Sequence, residues 1–302
     1  MFIIKHRSFF LWLTGAFLAV AIGAIAFLGL PLSIDFTGGS LVEVEYQAER
    51  PDILTLKEQV SVVPLGEISL RESGERGVVL RSRTLSPEEH DAVIAALSQG
   101  GTNPVTVLRS NSVGPSMGSE LAIKALYAIG AVILTIMLYI AWAFRKVSKP
   151  VPSWGYGIIV VLMLMIDIIV PTGFYAILAH YTGAQVDVLF VVALLALLGY
   201  CVNDVIVIFD RIREHLKLNE EKNIKEEFEV TIGKSIDETM GRSINTALTV
   251  VLALLAIIIW GPEVTRNFAL TILVGVVIGT FSSICRSAPL LIPLVKVFAK
   301  KT

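Results

Sequence analysis

The sequence predicts an α-helical polytopic membrane protein with six transmembrane helices and one exported α+β domain of ferredoxin-like βαββαβ order. Three observations predict it. The 302-residue chain is 54% hydrophobic and only 17% charged; its mean hydropathy is +0.73; and one long polar stretch, residues 32–118, separates the first apolar run from five more. Such a composition excludes an ordinary soluble enzyme.

The apolar runs are Phe9–Leu30, Ala122–Phe144, Trp154–Leu178, Val188–Phe209, Ser243–Trp260 and Phe268–Val295. Each is close to or above the roughly 20 helical residues that cross about 30 Å of hydrocarbon. The first follows Lys5 and Arg7 and contains Ala24-Ile25-Ala26, which mimics a signal cleavage site. Its apolar stretch continues through Leu30, too long for the core of a cleaved signal, and it reads as a retained span. Lys5 and Arg7, then Arg145, Lys146 and Lys149, then Arg211, Arg213 and Lys217, and last Lys296, Lys300 and Lys301 fall on one side of the spans. The positive-inside rule makes that side the cytoplasm and both termini cytoplasmic. Residues 31–119 therefore face outward, with twelve acids against seven bases, an asymmetry hidden in the net charge of -1. Three divisions follow: 1–31 with the first span, 32–118 as the outer domain, and 119–302 with the other five spans.

Within the outer domain, Leu41–Tyr46 alternates as a strand and Asp52–Val63 is helical after Pro51. Glu67–Arg71 and Gly77–Arg83 pair around Ser73-Gly74-Glu75, Pro87–Leu97 is helical after a Ser86 cap, and Val105–Val113 is the last strand. Gly38-Gly39 and Gly114-Pro115 flank the domain and read either as hinges or as plain turns. On the cytoplasmic side the loop 210–241 carries Ile224, Phe228, Ile232, Ile236 and Met240 every four residues. That spacing predicts an amphipathic helix, lying on the bilayer surface or packed on the bundle as a connector. Cys201 and Cys285 both lie in spans and read as core packing, so no disulfide framework is expected. The four histidines, His6, His90, His180 and His215, are scattered, and no metal-ligand, nucleophile-elbow or phosphate-loop motif occurs.

The chemistry concentrates in charges inside the spans. An aspartate near a bilayer centre costs about 2.5–3.5 kcal/mol on insertion scales, which marks Asp204 as functional and calls for a partner. Asp204 lies roughly 8 Å inside the cytoplasmic end of its span, and Arg242 begins the fifth span from the same side. Arg242, Asn245, Thr246 and Thr249 fall at i, i+3, i+4 and i+7, one helix face, opposite Tyr200 and Asn203. The expectation is an Asp204–Arg242 pair in a polar seam, acting as an ion-linked switch. Its bland alternative is interhelical hydrogen-bond glue of about 0.6–2 kcal/mol per contact. In the switch, Asp204 stays ionised while Arg242 is engaged and takes a proton when the helices separate. One charge crossing 100 mV supplies about 2.3 kcal/mol. Asp167, one turn before Pro171, faces the seam, another subunit or a proline-kink contact. Arg286, among Thr280, Ser282, Ser283 and Ser287, can pair with either acid. The seam residues suit a water chain or sodium equally, leaving the coupling ion open between H⁺ and Na⁺.

Short motifs resemble one family. Asp35-Phe36-Thr37-Gly38-Gly39-Ser40, Val113-Gly114-Pro115, Gly199-Tyr200-Cys201-Val202-Asn203-Asp204, Asp210-Arg211-Ile212-Arg213-Glu214 and Arg242-Ser243-Ile244-Asn245-Thr246 are similar to those of the SecD/SecF family, in its shorter half. The resemblance implies half of an RND-type bundle, completed by SecD, beside the SecYEG channel and with YajC as a further associate. It implies a bacterial inner-membrane subunit without enzymatic activity or bound cofactor, driven by proton motive force through the late steps of polypeptide export and insertion. Its contacts would be unfolded exported polypeptides and membrane lipids, with no nucleic acid. The family's membrane acid and arginine map onto Asp204 and Arg242, and its third-span acid onto Asp167. Ile166 replaces a frequent histidine, Cys201 a serine and Val205 a threonine, while Arg286 stands where small or apolar residues are usual. The competing expectations are an RND-type exporter of small molecules or lipids, against which the small outer domain argues, and a passive scaffold of the translocase.

Overall fold

The computed structural model describes residues 2–66, 68–145 and 151–299. Glu67, Lys146, Lys149, Lys300 and Lys301, used above for a strand start and for orientation, lie outside the described residues, as do the side chains of Glu263 and Lys296. The chain divides into two compact units, 1–31 with 127–302, and 32–126.

The second unit begins with a one-turn helix, α3 (Ile34–Thr37), preceded in the first unit by α1 (Phe2–Lys5) and α2 (Arg7–Leu28). It continues as β1 (Gly39–Tyr46), α4 (Ile53–Val60), β2 (Ser69–Ser73), β3 (Gly77–Ser82), α5 (Pro87–Leu97) and β4 (Val105–Val113). The sheet is antiparallel throughout with order β2-β3-β1-β4, the arrangement that the βαββαβ reading predicts. Alternation along β1 turns Val42, Val44 and Tyr46 inward, against Leu56 and Val60 of α4, Val93 and Leu97 of α5, and Val78 and Leu80 of β3. Asp52 caps α4 through the Leu54 amide, and Ser86 with Glu89 forms a reciprocal capping box on α5, with Pro87 in its first turn. Tyr46 crosses the core to donate from its hydroxyl to the Leu97 carbonyl at 2.8 Å.

The paired glycines at the start of β1 form a packed corner. Gly38 and Gly39 have φ of 75° and 127°. A Cβ on Gly38 would lie 2.6 Å from the Pro115 Cα, and one on Gly39 2.7 Å from the Ser82 carbonyl oxygen. Both positive φ and close backbone approach therefore demand glycine.

The first unit holds the membrane helices: α2, α6 (Pro115–Ala143, which begins in the second unit), α7 (Ser153–Thr182), α8 (Val188–Glu221), α9 (Phe228–Trp260), and a sixth span composed of α10 (Glu263–Ser282), a π-helical turn at Ser283–Ser287 and α11 (Leu291–Ala299). Small residues bring two pairs of helices together, α7 with α2 and α10 with α8. Gly173 of α7 meets the Ala21 backbone of α2, Gly275 of α10 meets Leu197 of α8, and Gly279 meets the Cys201 sulfur. Helices in lipid associate through such packing, because hydrocarbon offers no hydrophobic gain between them.

The expected surface helix is not separate. α8 continues to Glu221 and α9 already starts at Phe228, so the loop between them is short and the four-residue spacing belongs to the first turns of α9. Ile232 and Ile236 are buried in the bundle core and Phe228 and Met240 pack at its margin, while Ile224 is exposed. The connector reading therefore replaces the bilayer-surface one: the apolar stripe has a protein partner and needs no lipid one. Arg211 joins Glu238, next to which His215 lies at 3.0 Å, and also pairs with Glu214 at 2.6 Å, so the Asp210–Glu214 motif ties α8 to α9.

Two outcomes are expected. Gly38→Ala lowers stability by about 2–4 kcal/mol, read as a fall in melting temperature of the solubilised chain. Burial pushes the Tyr46 phenol from 10.0 up to about 12, so folding favours the neutral ring. Its contribution is intact below pH 10 and is lost as pH rises through about 12. Alkaline melting of wild type and Tyr46→Phe checks this: the variant lacks that loss but starts about 1–2 kcal/mol lower, because the Leu97 carbonyl loses its donor.

Candidate functional site: two acids inside the bundle

Asp167 on α7, Asp204 on α8 and Arg286 in the π-helical turn are all buried, with relative exposures of 2%, 8% and 2%. Charges this far from water persist only with partners. Arg286 donates from one terminal nitrogen to Asp167 Oδ1 at 3.4 Å. Of the two acids open to it, Arg286 thus takes Asp167. Its guanidinium also stands 5.9 Å from the centre of the Phe281 ring. Pro171 has no amide hydrogen to give the Asp167 carbonyl one turn back, which loosens the helix ladder at this acid. The π-helical turn adds a residue to the opposing helix at the same level, and Ser283 and Ser287 both return their hydroxyls to backbone carbonyls there, at Gly279 and Ser283.

Asp204 is held differently. Its Oδ1 accepts a hydrogen bond from the Ser243 hydroxyl on α9, and Ser243 is 1% exposed. Among the described residues no ion pair joins Asp204 to Arg242, although the guanidinium is near enough to act on the carboxylate's charge. The expected direct pair is therefore corrected to a hydroxyl contact. The reason lies in helix geometry: α9 buries Thr231, Ser235, Thr239 and Ser243 at intervals of four, and Arg242, about 100° away around the helix, points off that stripe. Arg242, Asn245, Thr246 and Thr249 share a face as expected, but all four are exposed, as is Asn203. Thr246 and Thr249 return their hydroxyls to the Arg242 and Thr246 carbonyls at 2.9 and 2.8 Å. Of the expected seam, Tyr200 alone bonds across helices among the described residues, to Thr280 at 3.3 Å.

Three side chains lie around the acids. Cys201, three residues before Asp204 and fully buried, is close enough to Asp167, Asp204 and Arg286 to feel all three charges. Ser282 stands near the Asp167 carboxyl and Ser283 near that of Asp204. Among the described residues, Asp167 Oδ2, Asp204 Oδ2 and Arg286 Nε are buried without a hydrogen-bond partner. Sequence reasoning missed Ser243, although the Thr231-Ser235-Thr239-Ser243 spacing signalled it. Among the described residues no group of three or more His, Cys, Asp or Glu side chains gathers as a metal site.

The asymmetry has chemical content. Asp167 faces a permanent cation, whereas Asp204 faces a hydroxyl, which donates to a carboxylate and accepts from a carboxylic acid equally well. Asp204 can therefore exchange a proton without stranding a guanidinium in the core.

Comparisons with known proteins identify relatives of the whole chain. Residues 93–297 match the family described as protein export membrane protein SecD/SecF, C-terminal, and residues 23–49, which include Gly38-Gly39, match the SecD/SecF GG motif. The protein translocase subunit SecF of Anaerolinea thermophila is 36% identical over 297 residues, covering 96% of this chain and 92% of that protein. That of Thermobaculum terrenum is 37% identical over 278 residues, covering 87% and 84%. The crystal structure of SecDF, a translocon-associated membrane protein from Thermus thermophilus, superposes with a TM-score of 0.81 at 29% identity, covering 96% of this chain and 38% of that longer one. A second structure of SecDF, in a super-membrane-facing form, superposes with a TM-score of 0.67, 28% identity and coverage of 99% and 39%. With its glycine corner and its acid-bearing helices each matching a SecD/SecF signature, the chain belongs to the SecD/SecF family.

Proposed function

We propose that this chain is the SecF-type accessory subunit of the Sec protein translocase, pairing with SecD and drawing on the proton motive force to drive late steps of polypeptide export and membrane insertion. The observation that carries the reading is the placement of Asp204: buried and held by the neutral Ser243 hydroxyl, whose neighbour in sequence, Arg242, faces out of the chain. The SecF names of its relatives and the SecDF fold support the translocase context.

The exposed face of Arg242, Asn245, Thr246 and Thr249 supports a SecD partner. Left against lipid, an arginine and an amide would forfeit water without replacement. A second helical half, occupying the part of SecDF that this chain does not cover, would give Arg242 a cover and the pair Asp204/Arg242 a setting in which to engage and separate. Asp167, held by Arg286, contributes structure and field to the same site. The protein works without enzymatic turnover and without a cofactor, in the bacterial inner membrane with both termini cytoplasmic, beside SecYEG and with YajC as a further associate. The outer ferredoxin-like domain receives the emerging unfolded polypeptide.

Asp204→Asn keeps the Ser243 contact and removes the titrating group. In inverted vesicles the complex stays at its normal level and gradient-stimulated translocation falls by at least about 10-fold, since one charge per 100 mV supplies about 2.3 kcal/mol. A proton uncoupler abolishes the wild-type stimulation, and a sodium ionophore leaves it in place. Unchanged translocation in the variant would return the chain to a scaffold role; loss with the ionophore alone would assign sodium as the coupling ion.

A further inference from the structure

The Asp167–Arg286 pair lies outside the proton exchange just described, yet its geometry ties it to Asp204. Arg286 belongs to the same π-helical turn as Ser283. That turn is packed shut around it: Ser283, Arg286 and Ser287 are 0–2% exposed, and the Ser287 hydroxyl bonds the Ser283 carbonyl across the turn. Just before the turn, Gly279 lets α10 approach Cys201 so closely that a Cβ would lie 2.4 Å from the sulfur. Cys201 and Asp204 are neighbours on one face of α8. A π-helical turn exchanges i→i+4 for i→i+5 hydrogen bonds and is rare enough to call for a local cause. The guanidinium fixed to Asp167 on the opposing helix supplies that cause.

The Ser283 hydroxyl donates to the Gly279 carbonyl at 2.9 Å and stands near the Asp204 carboxyl, whose Oδ2 has no partner. The Ser283 hydroxyl is thus committed to a backbone carbonyl while a buried acid oxygen close by has a vacancy. The geometry points to the Asp167–Arg286 ion pair as the intramembrane anchor of residues 283–287, which positions Ser283 as the second donor to Asp204. Arg286 is then a positioning residue for the coupling acid, acting through the turn and not by contact. This rests on Asp204 as the titrating group. The other ionisable groups around that acid are Asp167 on α7, Tyr200 and Cys201 on α8 and Arg242 on α9; all stay in place in Ser283→Ala, in Arg286→Gln and in their double variant.

The test is infrared difference spectroscopy of the full chain with its partner subunit in membrane vesicles, stepped through pH. The Asp204 carboxyl band is assigned by its loss in Asp204→Asn. Ser283→Ala and Arg286→Gln displace the midpoint of that band in the same direction by roughly half a pH unit or more, about threefold in proton affinity. Arg286→Lys recovers most of it. The double variant Ser283→Ala/Arg286→Gln moves the midpoint no further than the larger single change, because both act through one contact. A midpoint unmoved in Arg286→Gln at normal protein level, or additive shifts, overturns the inference. If Arg286→Gln fails to accumulate, Asp167→Asn/Arg286→Gln removes the stranded charge and carries the same comparison.

A second readout does not depend on protonation. In a chain carrying Cys201→Ala and Cys285→Ala, an Asp204→Cys/Ser283→Cys pair cross-links on oxidation, and Arg286→Gln lowers the cross-linked fraction at least threefold. No cross-linking, or cross-linking indifferent to Arg286, overturns the anchor even where Asp204 titrates. A vesicle complex in which Asp204→Asn translocates normally while Arg286→Gln still breaks the cross-link refutes the proposed function and leaves the anchor standing.

Discussion

Packing closes the centre of this bundle to solvent, leaving Asp167, Asp204 and Arg286 only 2–8% exposed, and that burial sets the terms for every polar group in it. An acid or a guanidinium there must be matched by another group of the chain, or by a partner chain, because the solvation that each gives up is worth several kcal/mol. The structure meets the requirement in two ways. Asp167 and Arg286 neutralise each other at 2% exposure. Asp204 is left with a hydroxyl from Ser243 and one unpartnered oxygen. The first arrangement resists change, since removing either charge strands the other. The second tolerates change, since a hydroxyl suits both protonation states. Fixed and exchangeable acids thus stand side by side, distinguished by the kind of group that faces each.

Backbone features make that placement possible. Gly275 and Gly279 let α10 close on Leu197 and Cys201; the turn at Ser283–Ser287 then widens the helix where Arg286 must reach α7; and Pro171 removes one rung of α7 beside Asp167. Outside the apolar stretch, the α8 and α9 helices run on and are clasped by Arg211 and Glu238. Exposed pairs of that kind add little to stability, but they set the rotation of α9 and so which of its faces meets α8. In the outer domain the glycine corner does comparable work, with φ values and backbone contacts that a side chain would disrupt.

Much of this was legible from residues. Apolar runs long enough to span lipid, alternation in β1, the Ser86–Glu89 capping box and the strand–helix order all follow from local chemistry, and the six spans and the ferredoxin-like sheet appear where expected. The acids and arginines were found because a charge in an apolar run is costly wherever its helix points. Partner choice was not legible. Arg242 and Ser243 are adjacent in sequence, and a rotation of about 100° per residue decides which of them meets Asp204. The amphipathic stripe at Phe228–Met240 fitted lipid and protein alike until Ile232 and Ile236 were placed in the core.

By itself, then, the sequence determined what the chain must hide and what it must expose: six helices for lipid, one folded domain for water, and four charges that need company. These are local consequences of hydrophobicity and periodicity. Only the tertiary structure decided the company each charge keeps, giving Arg286 to Asp167, Ser243 to Asp204, and turning Arg242 outward. Helix rotation, close approach at glycine and the extra residue of the π-helical turn fix those choices, and each depends on atoms far apart in the chain meeting within a few ångströms.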